Sequence, residues 1–231
     1  QKMRKTMTYK HQWQNGTDIN LPVGKLVCIG RNYAAHAKEL GNAVPDAPML
    51  FLKPATALVP LHQPIHIPQG RGECHHETEI CVLIGQTLSG HVTKEQVRQA
   101  VVGIGLGLDL TLRDVQQQLK QQGHPWEVAK AFDSAAPMGT FLPADKFTDW
   151  HAIEFELLVN GQCRQAGCSA DMITSIEVML EFIAGIFTLQ PGDIVMTGTP
   201  EGVAALKPND RLSLSLLSPV QATWECVVAD A

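Results

Sequence analysis

His75-His76-Glu77-Thr78-Glu79-Ile80-Cys81-Val82-Leu83-Ile84-Gly85 reads as a strand with an acidic mouth and an apolar body. The run from Ile80 to Ile84 suits a strand buried on both faces, and Gly85 ends it. Side chains alternate along a strand, so Glu77, Glu79 and His75 share one face, while Cys74, His76 and Thr78 take the other. Two carboxylates on one face repel each other unless a cation lies between them. The pair reads either as a solvated strand end or as part of a hard divalent-metal site, because carboxylate oxygens suit Mg²⁺, Mn²⁺ or Ca²⁺. A third carboxylate separates the two readings. Asp109 closes the apolar, glycine-spaced run of residues 101–108, a second central strand. It is either a ligand at a strand mouth or the cap of a helix that starts near Leu110. Zinc at Cys74-His75-His76 is disfavoured, because these side chains face alternate sides and no second Cys/His pair stands at finger spacing.

Outward from this strand, residues 25–29 read as a buried strand broken by Gly30, and residues 33–40 as a short helix. Prolines punctuate residues 45–68, with a short strand at 49–52. Thr93 with Gln96 forms a capping-box signature for a helix over 94–100. Residues 110–122 read as a helix stopped by Gly123. Residues 154–159 alternate, and Asn160-Gly161 is a hairpin turn returning through 162–165. Residues 174–187 carry apolar side chains at helical spacing, and 193–197, 211–217 and 223–228 read as strands. Many short strands with about four helices define an α+β chain dominated by mixed sheet. A doubly wound fold is excluded: Gly30-Arg31-Asn32-Tyr33 follows the first strand, where a dinucleotide fold carries Gly-x-Gly-x-x-Gly.

The 231 residues carry a net charge of -5, which argues against nucleic acid as a partner. The longest uncharged apolar stretch, residues 100–108, is too short to span a bilayer. Six cysteines without a Cys-x-x-Cys pair read as free thiols in a reducing, cytoplasmic setting. The N-terminus has no apolar segment of the secretory kind. Gln1 is not an initiation residue, so Met3 or Met7 is the expected start, and the native status of what precedes is open.

The motifs now resemble a family. Gly30-Arg31-Asn32-Tyr33 with His36 and Glu39 resembles Gly-x-Asn-Tyr-x-x-His-x-x-Glu. His75 to Glu79 resembles His-His-Glu-x-Glu, and Asp109 to Gln116 resembles Asp-x-Thr-x-Arg-Asp-x-Gln. Trp126 to Asp133, Asp171-Met172-Ile173, and Pro191-Gly192-Asp193 with Thr197-Gly198-Thr199-Pro200 complete the series. Together they resemble the fumarylacetoacetate hydrolase superfamily, in its small acylpyruvase-like branch. The resemblance implies a mixed β-sheet roll or sandwich with peripheral helices, a homodimer, and Mg²⁺ or Mn²⁺ held by Glu77, Glu79 and Asp109. It puts the His/Glu dyad on His36 and Glu39, the active-site lysine on Lys130, and substrate contacts on Arg113, Gln116 and Thr199. It allots residues 1–20 to an extension with a first strand and 21–231 to a single catalytic domain. Two positions depart from the family: Leu106, where an aromatic is common, bears on the pocket wall, and Ala204, in place of glycine, bears on the loop.

The implied chemistry is hydrolysis of the C–C bond of an acylpyruvate, a 2,4-dioxo acid. A divalent ion and Lys130 balance three carboxylates, and the ion chelates the 2-oxo acid as a Lewis acid. His36 and Glu39, three apart on a helix, activate water. Decarboxylation of oxaloacetate, or keto–enol tautomerisation of such acids, uses the same chelate and is the alternative. A non-catalytic metal-binding dimer is a weaker reading, and a sugar- or nucleotide-binding module, without a phosphate loop, weaker still. Residues 31–44, between Gly30 and Pro45, are expected to form a lid, open without ligand.

Overall fold

A computed structural model of the chain describes residues 9–41 and 47–230. Met3, Met7 and residues 42–44 of the expected lid lie outside these residues. The described strands are β1 (Leu26–Gly30), β2 (Met49–Lys53), β3 (Leu58–Pro60), β4 (Cys74–His76), β5 (Thr78–Ile84), β6 (Val101–Leu108), β7 (Thr111–Leu112), β8 (Ala136–Met138), β9 (Leu142–Pro143), β10 (Glu154–Val159), β11 (Gln162–Cys168), β12 (Ile194–Met196), β13 (Ala204–Ala205), β14 (Arg211–Ser218) and β15 (Ala222–Val227). The helices are α1 (Ala34–Glu39), α2 (Lys94–Ala100), α3 (Arg113–Gln122), α4 (Glu127–Lys130) and α5 (Ile176–Ala184).

A mixed sheet ordered β2-β1-β12-β5-β6-β8-β3 forms the centre, with β9 paired to β6. A second sheet runs β11-β10-β14-β15, and a small third one β13-β4-β7. This is the α+β mixed-sheet architecture expected from the sequence. β5 is buried along its whole length. Ile80, Val82, Leu83 and Ile84 are fully covered, each contributing roughly 1.5–3 kcal/mol. The glycine spacing of β6 has a steric cause. A Cβ at Gly105 would lie 2.8 Å from the carbonyl oxygen of Thr140, and one at Gly107 3.0 Å from Cys81 Sγ. Backbone fills that space at Gly105, and the packed side chains of Cys81 and Met138 fill it at Gly107. Leu106 lies in the core, so its departure from the family does not touch the cavity described below.

Local chemistry sets several elements as the sequence predicts. Gln96 N donates to Thr93 Oγ1 (3.3 Å) and Thr93 N to Gln96 Oε1 (2.8 Å), closing the capping box of α2. Asn160 and Gly161 turn at φ 53° and 77°, the pair of positive values a two-residue hairpin needs. Gly123 ends α3 in the left-handed region. The start of α3 differs. Thr111–Leu112 forms β7 by pairing with β4, so the helix begins at Arg113, capped by Leu112 without a side-chain bond. Asp109 is therefore not a helix cap. α5 is shorter than the apolar spacing predicts, covering Ile176–Ala184.

Candidate metal centre and catalytic cavity

Sheet register brings the three carboxylates together. Thr78 pairs with Leu108 and Glu79 with Gly107, and Asp109 N donates to Glu77 O (2.8 Å) one rung further on. Asp109 thus shares a face with the side-chain-free Gly107 and with Glu77 and Glu79. One oxygen from each of the three lies within 4.8 Å of the others, and all three residues are buried. Two oxygens on one octahedral ion lie roughly 3–4 Å apart, so a small inward shift would satisfy an ion. The extension of β12 holds Glu79: Gly198 N donates to Glu79 Oε2 (2.8 Å), and Thr199 Oγ1 donates to Thr78 O (2.9 Å).

Cations surround this floor. Lys130 Nζ donates to Glu77 Oε2 and Asp109 Oδ2, both at 2.7 Å, and Arg113 Nη2 donates to Glu77 Oε1. Lys53, which the sequence reading did not single out, lies 2.7 Å from Asp109 Oδ1 with no side-chain exposure. That approach falls outside hydrogen-bonding geometry, so Asp109 Oδ1 is a buried oxygen without a hydrogen bond. Lys53 instead donates to the carbonyl oxygens of Lys130 and Ala135. A charged residue closing the apolar run Met49–Lys53 is the same signal that drew attention to Asp109. Lys53, Lys130 and Arg113 therefore already stand against Glu77 and Asp109 before any ion is added, where the sequence reading counted one lysine and one ion.

The protonation states follow from these contacts. Burial raises Glu77, but Lys130 and Arg113 outweigh it and hold the carboxyl well below the usual range. Burial, with Asp109 and Glu77 beside it, pushes Glu79 well above that range. Burial lowers Lys130, yet Asp109 and Glu77 raise it above the ordinary lysine value. Lys130 is thus a held cation and not a base. His36 is lowered chiefly by burial, partly opposed by Glu77 and Glu39.

His36 and Glu39 meet as expected, with Nδ1 3.4 Å from Oε2. Glu39 is anchored at its far side, where Gly202 N donates to both carboxylate oxygens at 3.1 and 3.2 Å. His36 is 5% exposed, so the described part of the expected lid is seated on the cavity and not open. Asn32 fixes its root, with Nδ2 donating to Thr197 O (2.9 Å) and Thr174 O (3.0 Å). Gly202 has φ 94°, and a Cβ there would lie 1.9 Å from the carbonyl oxygen of Arg164. Gly202→Ala is expected to destabilise the chain by about 1–3 kcal/mol and to release Glu39. Thermal melting checks the first effect, and the pH profile of activity the second.

A cavity of about 280 Å³ is lined by His36, the three carboxylates, Arg113, Gln116, Lys130 and Thr199, together with Arg31, Lys120, Phe51 and Trp126. Eight of the nine expected residues line this cavity, and Glu39 stands behind His36. Thr199 has its hydroxyl engaged: it donates to Thr78 O and accepts from Gln165 Nε2 (2.7 Å). Gln116 Oε1 accepts from Arg113 Nη1 (2.7 Å). His75 and His76 diverge, bonded to Glu73 and Gln165 respectively, as expected for a string that is not a zinc site. The described cysteines are free. No helix among the described residues is long and apolar enough to cross a membrane.

The family model for the fumarylacetoacetate (FAA) hydrolase C-terminal region matches residues 25–226, and the chain belongs to this family. It is 50% identical over 210 residues to oxaloacetate tautomerase YcgM of Escherichia coli K12, covering 90% of this chain and 95% of that protein. It is 40% identical over 213 residues to the mitochondrial oxaloacetate tautomerase of Homo sapiens, covering 92% and 93%. It also superposes on the crystal structure of fumarylpyruvate hydrolase from Pseudomonas aeruginosa in complex with Mn²⁺ and pyruvate. That match has a TM-score of 0.89, 33% identity and full coverage of both chains. The chain is accordingly an enzyme of this family.

Proposed function

We propose that this chain interconverts the keto and enol forms of oxaloacetate, with Glu77, Glu79 and Asp109 holding Mg²⁺ or Mn²⁺. The alternative in the sequence reading thus displaces acylpyruvate hydrolysis as the first choice. The observation that carries it is 50% identity to an oxaloacetate tautomerase over 90% of the chain. The donor set fits such an ion, being all oxygen, with one buried oxygen lacking a hydrogen bond. When bound, the ion would take the adjacent carboxylate and ketone oxygens of a 2-oxo acid and draw off charge as a proton leaves.

His36 is the base. Its Nδ1 faces Glu39, so Nε2 keeps the lone pair, and burial keeps the ring neutral. The C3–H bond breaks with its proton moving to Nε2, and its electron pair forms the C2–C3 double bond. The proton is then delivered to the C2 oxygen. Lys130, held as a cation, offsets the negative charge that develops there. Arg113 and Gln116 fix the rim, and a homodimer belongs to the same reading.

Acylpyruvate hydrolysis is the second reading, favoured by the likeness to a fumarylpyruvate hydrolase. It needs His36 to activate water in place of C3. Decarboxylation needs the same floor without a base. Hydrogen exchange at C3 of oxaloacetate in deuterated buffer tests the first reading. The chain with Mn²⁺ should accelerate it, and a chelator should return it to the buffer rate. Cleavage of an acylpyruvate without accelerated exchange would transfer the reading to hydrolysis.

The pH profile is a second check. The groups facing the His36 ring are Glu39, Glu77, Arg113 and Lys130, and burial dominates them. The neutral ring is the active form, so activity should fall on the acid side through a midpoint below 6.5, the ordinary histidine value. A midpoint at or above that value would remove His36 as the base.

A further inference from the structure

We infer that Gln165, a residue of the second sheet, is a positioning residue whose side-chain amide sets Glu77 and the loop 198–202, and through them the metal floor and Glu39. The inference rests on the proposed reading of the three carboxylates as metal ligands, and it is common to the three reactions that use that floor. Gln165 is the one buried residue of β11, 1% exposed between Arg164 and Ala166, which face solvent. Burying an amide is costly unless it is hydrogen-bonded, and a leucine of similar size carries no such cost. The bonds of this amide therefore account for its place. Oε1 accepts from Thr78 N (3.0 Å) and from His76 Nδ1 (3.1 Å). Nε2 donates to Thr199 Oγ1 (2.7 Å) and to Pro200 O (2.9 Å). A backbone N–H only donates and a carbonyl only accepts, so Thr78 and Pro200 fix which way the amide points.

The four bonds reach two places in the site. His76 ends β4 and Thr78 begins β5, so Oε1 grips the chain on both sides of Glu77, at the break between the small sheet and the central one. Nε2 grips the loop at Thr199 and Pro200. Thr199 Oγ1 passes its own proton on to Thr78 O (2.9 Å), which closes the ring back to β5. The same loop delivers Gly198 N to Glu79 Oε2 (2.8 Å), and Gly202 N to both oxygens of Glu39 at 3.1 and 3.2 Å. The loop lies directly on β11. A Cβ at Gly167 would lie 3.0 Å from Pro200 Cγ, and one at Gly202 1.9 Å from the carbonyl oxygen of Arg164. One buried amide thus ties two of the three carboxylates, and the partner of His36, to the second sheet. An ion that demands oxygens at roughly 2.0–2.2 Å is sensitive to such support.

Calorimetric titration with Mn²⁺ alone, well below the melting temperature, tests the inference. Gln165→Met keeps the length of the side chain and removes all four bonds. It should weaken Mn²⁺ binding by about 10- to 100-fold, the usual effect of losing a group that orients a metal ligand. Leu212→Ala is the control, a buried residue of β14 in the same sheet with none of these bonds. It should lower the melting temperature and leave Mn²⁺ affinity unchanged. Gln165→Glu is the second variant. It keeps an oxygen for Thr78 N and His76 and sets an acceptor against Pro200 O, so kcat at saturating Mn²⁺ should fall by about 10-fold for the reaction the chain catalyses. A Gln165→Met chain that melts lower but binds Mn²⁺ as tightly as the parent overturns the inference. So does failure of both variants to fold, which would make Gln165 part of the fold alone. Mn²⁺ affinity is read without substrate, which separates the two ideas. A lowered affinity in a chain that does not tautomerise oxaloacetate upholds the inference and removes the tautomerase. Tautomerisation with unchanged affinity in Gln165→Met does the reverse.

Discussion

Glu79→Gln should abolish Mn²⁺ binding and lower the keto–enol rate by about 10³-fold or more, while leaving the melting temperature unchanged or raised. The rate term follows from losing the Lewis acid, several kcal/mol of charge stabilisation at the reacting oxygen. The stability term follows from the position of the side chain. Burial and two neighbouring carboxylates push Glu79 well above the ordinary carboxylate value, so without an ion they favour its neutral form. Glutamine copies that neutral form, and its oxygen still accepts from Gly198 N. Asp109→Asn makes the contrast. It removes the counter-charge of Lys53 and Lys130, which lie 2.7 Å away in full burial. Breaking a buried pair by removing one partner costs about 3–5 kcal/mol. Asp109→Asn should therefore lose both binding and stability. Calorimetric Mn²⁺ titration, the rate of enol formation and thermal melting on the two variants check this. Retention of Mn²⁺ binding by Glu79→Gln would remove the three-carboxylate site.

His36→Ala should lower keto–enol interconversion by about 10²-fold or more, the usual contribution of a general base. Binding of Mn²⁺ and pyruvate should survive, because the ring is bonded to Glu39 and not to the floor. Loss of CO₂ from oxaloacetate removes no C3 proton, so decarboxylation should fall much less than enolisation on the same variant. Glu39→Gln should act more weakly than His36→Ala, since glutamine retains an acceptor for Nδ1–H but no charge. Rates of enol formation and of CO₂ release on the three proteins form the measurement. Equal losses in both reactions for His36→Ala would mean that the histidine serves a step common to both, and the base assignment would fall.

Much of this arrangement is legible in the chain itself because its signals are local. The buried runs of β5 and β6 are uninterrupted, the Thr93–Gln96 box and the Asn160-Gly161 turn state their own geometry, and period-2 alternation places Glu77 and Glu79 on one face. The parts that were not legible depend on distant partners. Thr111–Leu112 precedes a polar stretch of helical spacing, and only pairing with Cys74 and His75 makes it a strand. Strands of two or three residues, such as β3, β9 and β13, carry no periodicity at all. In the site, a sequence shows that Lys53 ends an apolar strand, but not that its ammonium stops beside Asp109. The charge balance was miscounted for that reason. The choice among hydrolysis, decarboxylation and tautomerisation also lay beyond reach, because all three use the same floor and differ in whether, and where, one base moves a proton.

The most direct test of the central claim sets two reactions side by side on the purified chain with Mn²⁺. One is keto–enol interconversion of oxaloacetate, followed by the enol absorbance. The other is cleavage of an acylpyruvate, followed by pyruvate release. The tautomerase account predicts the larger kcat/KM for oxaloacetate, loss of that activity with Glu79→Gln, and little acylpyruvate cleavage. A larger kcat/KM for acylpyruvate cleavage, with oxaloacetate enolising at the buffer rate, would contradict it.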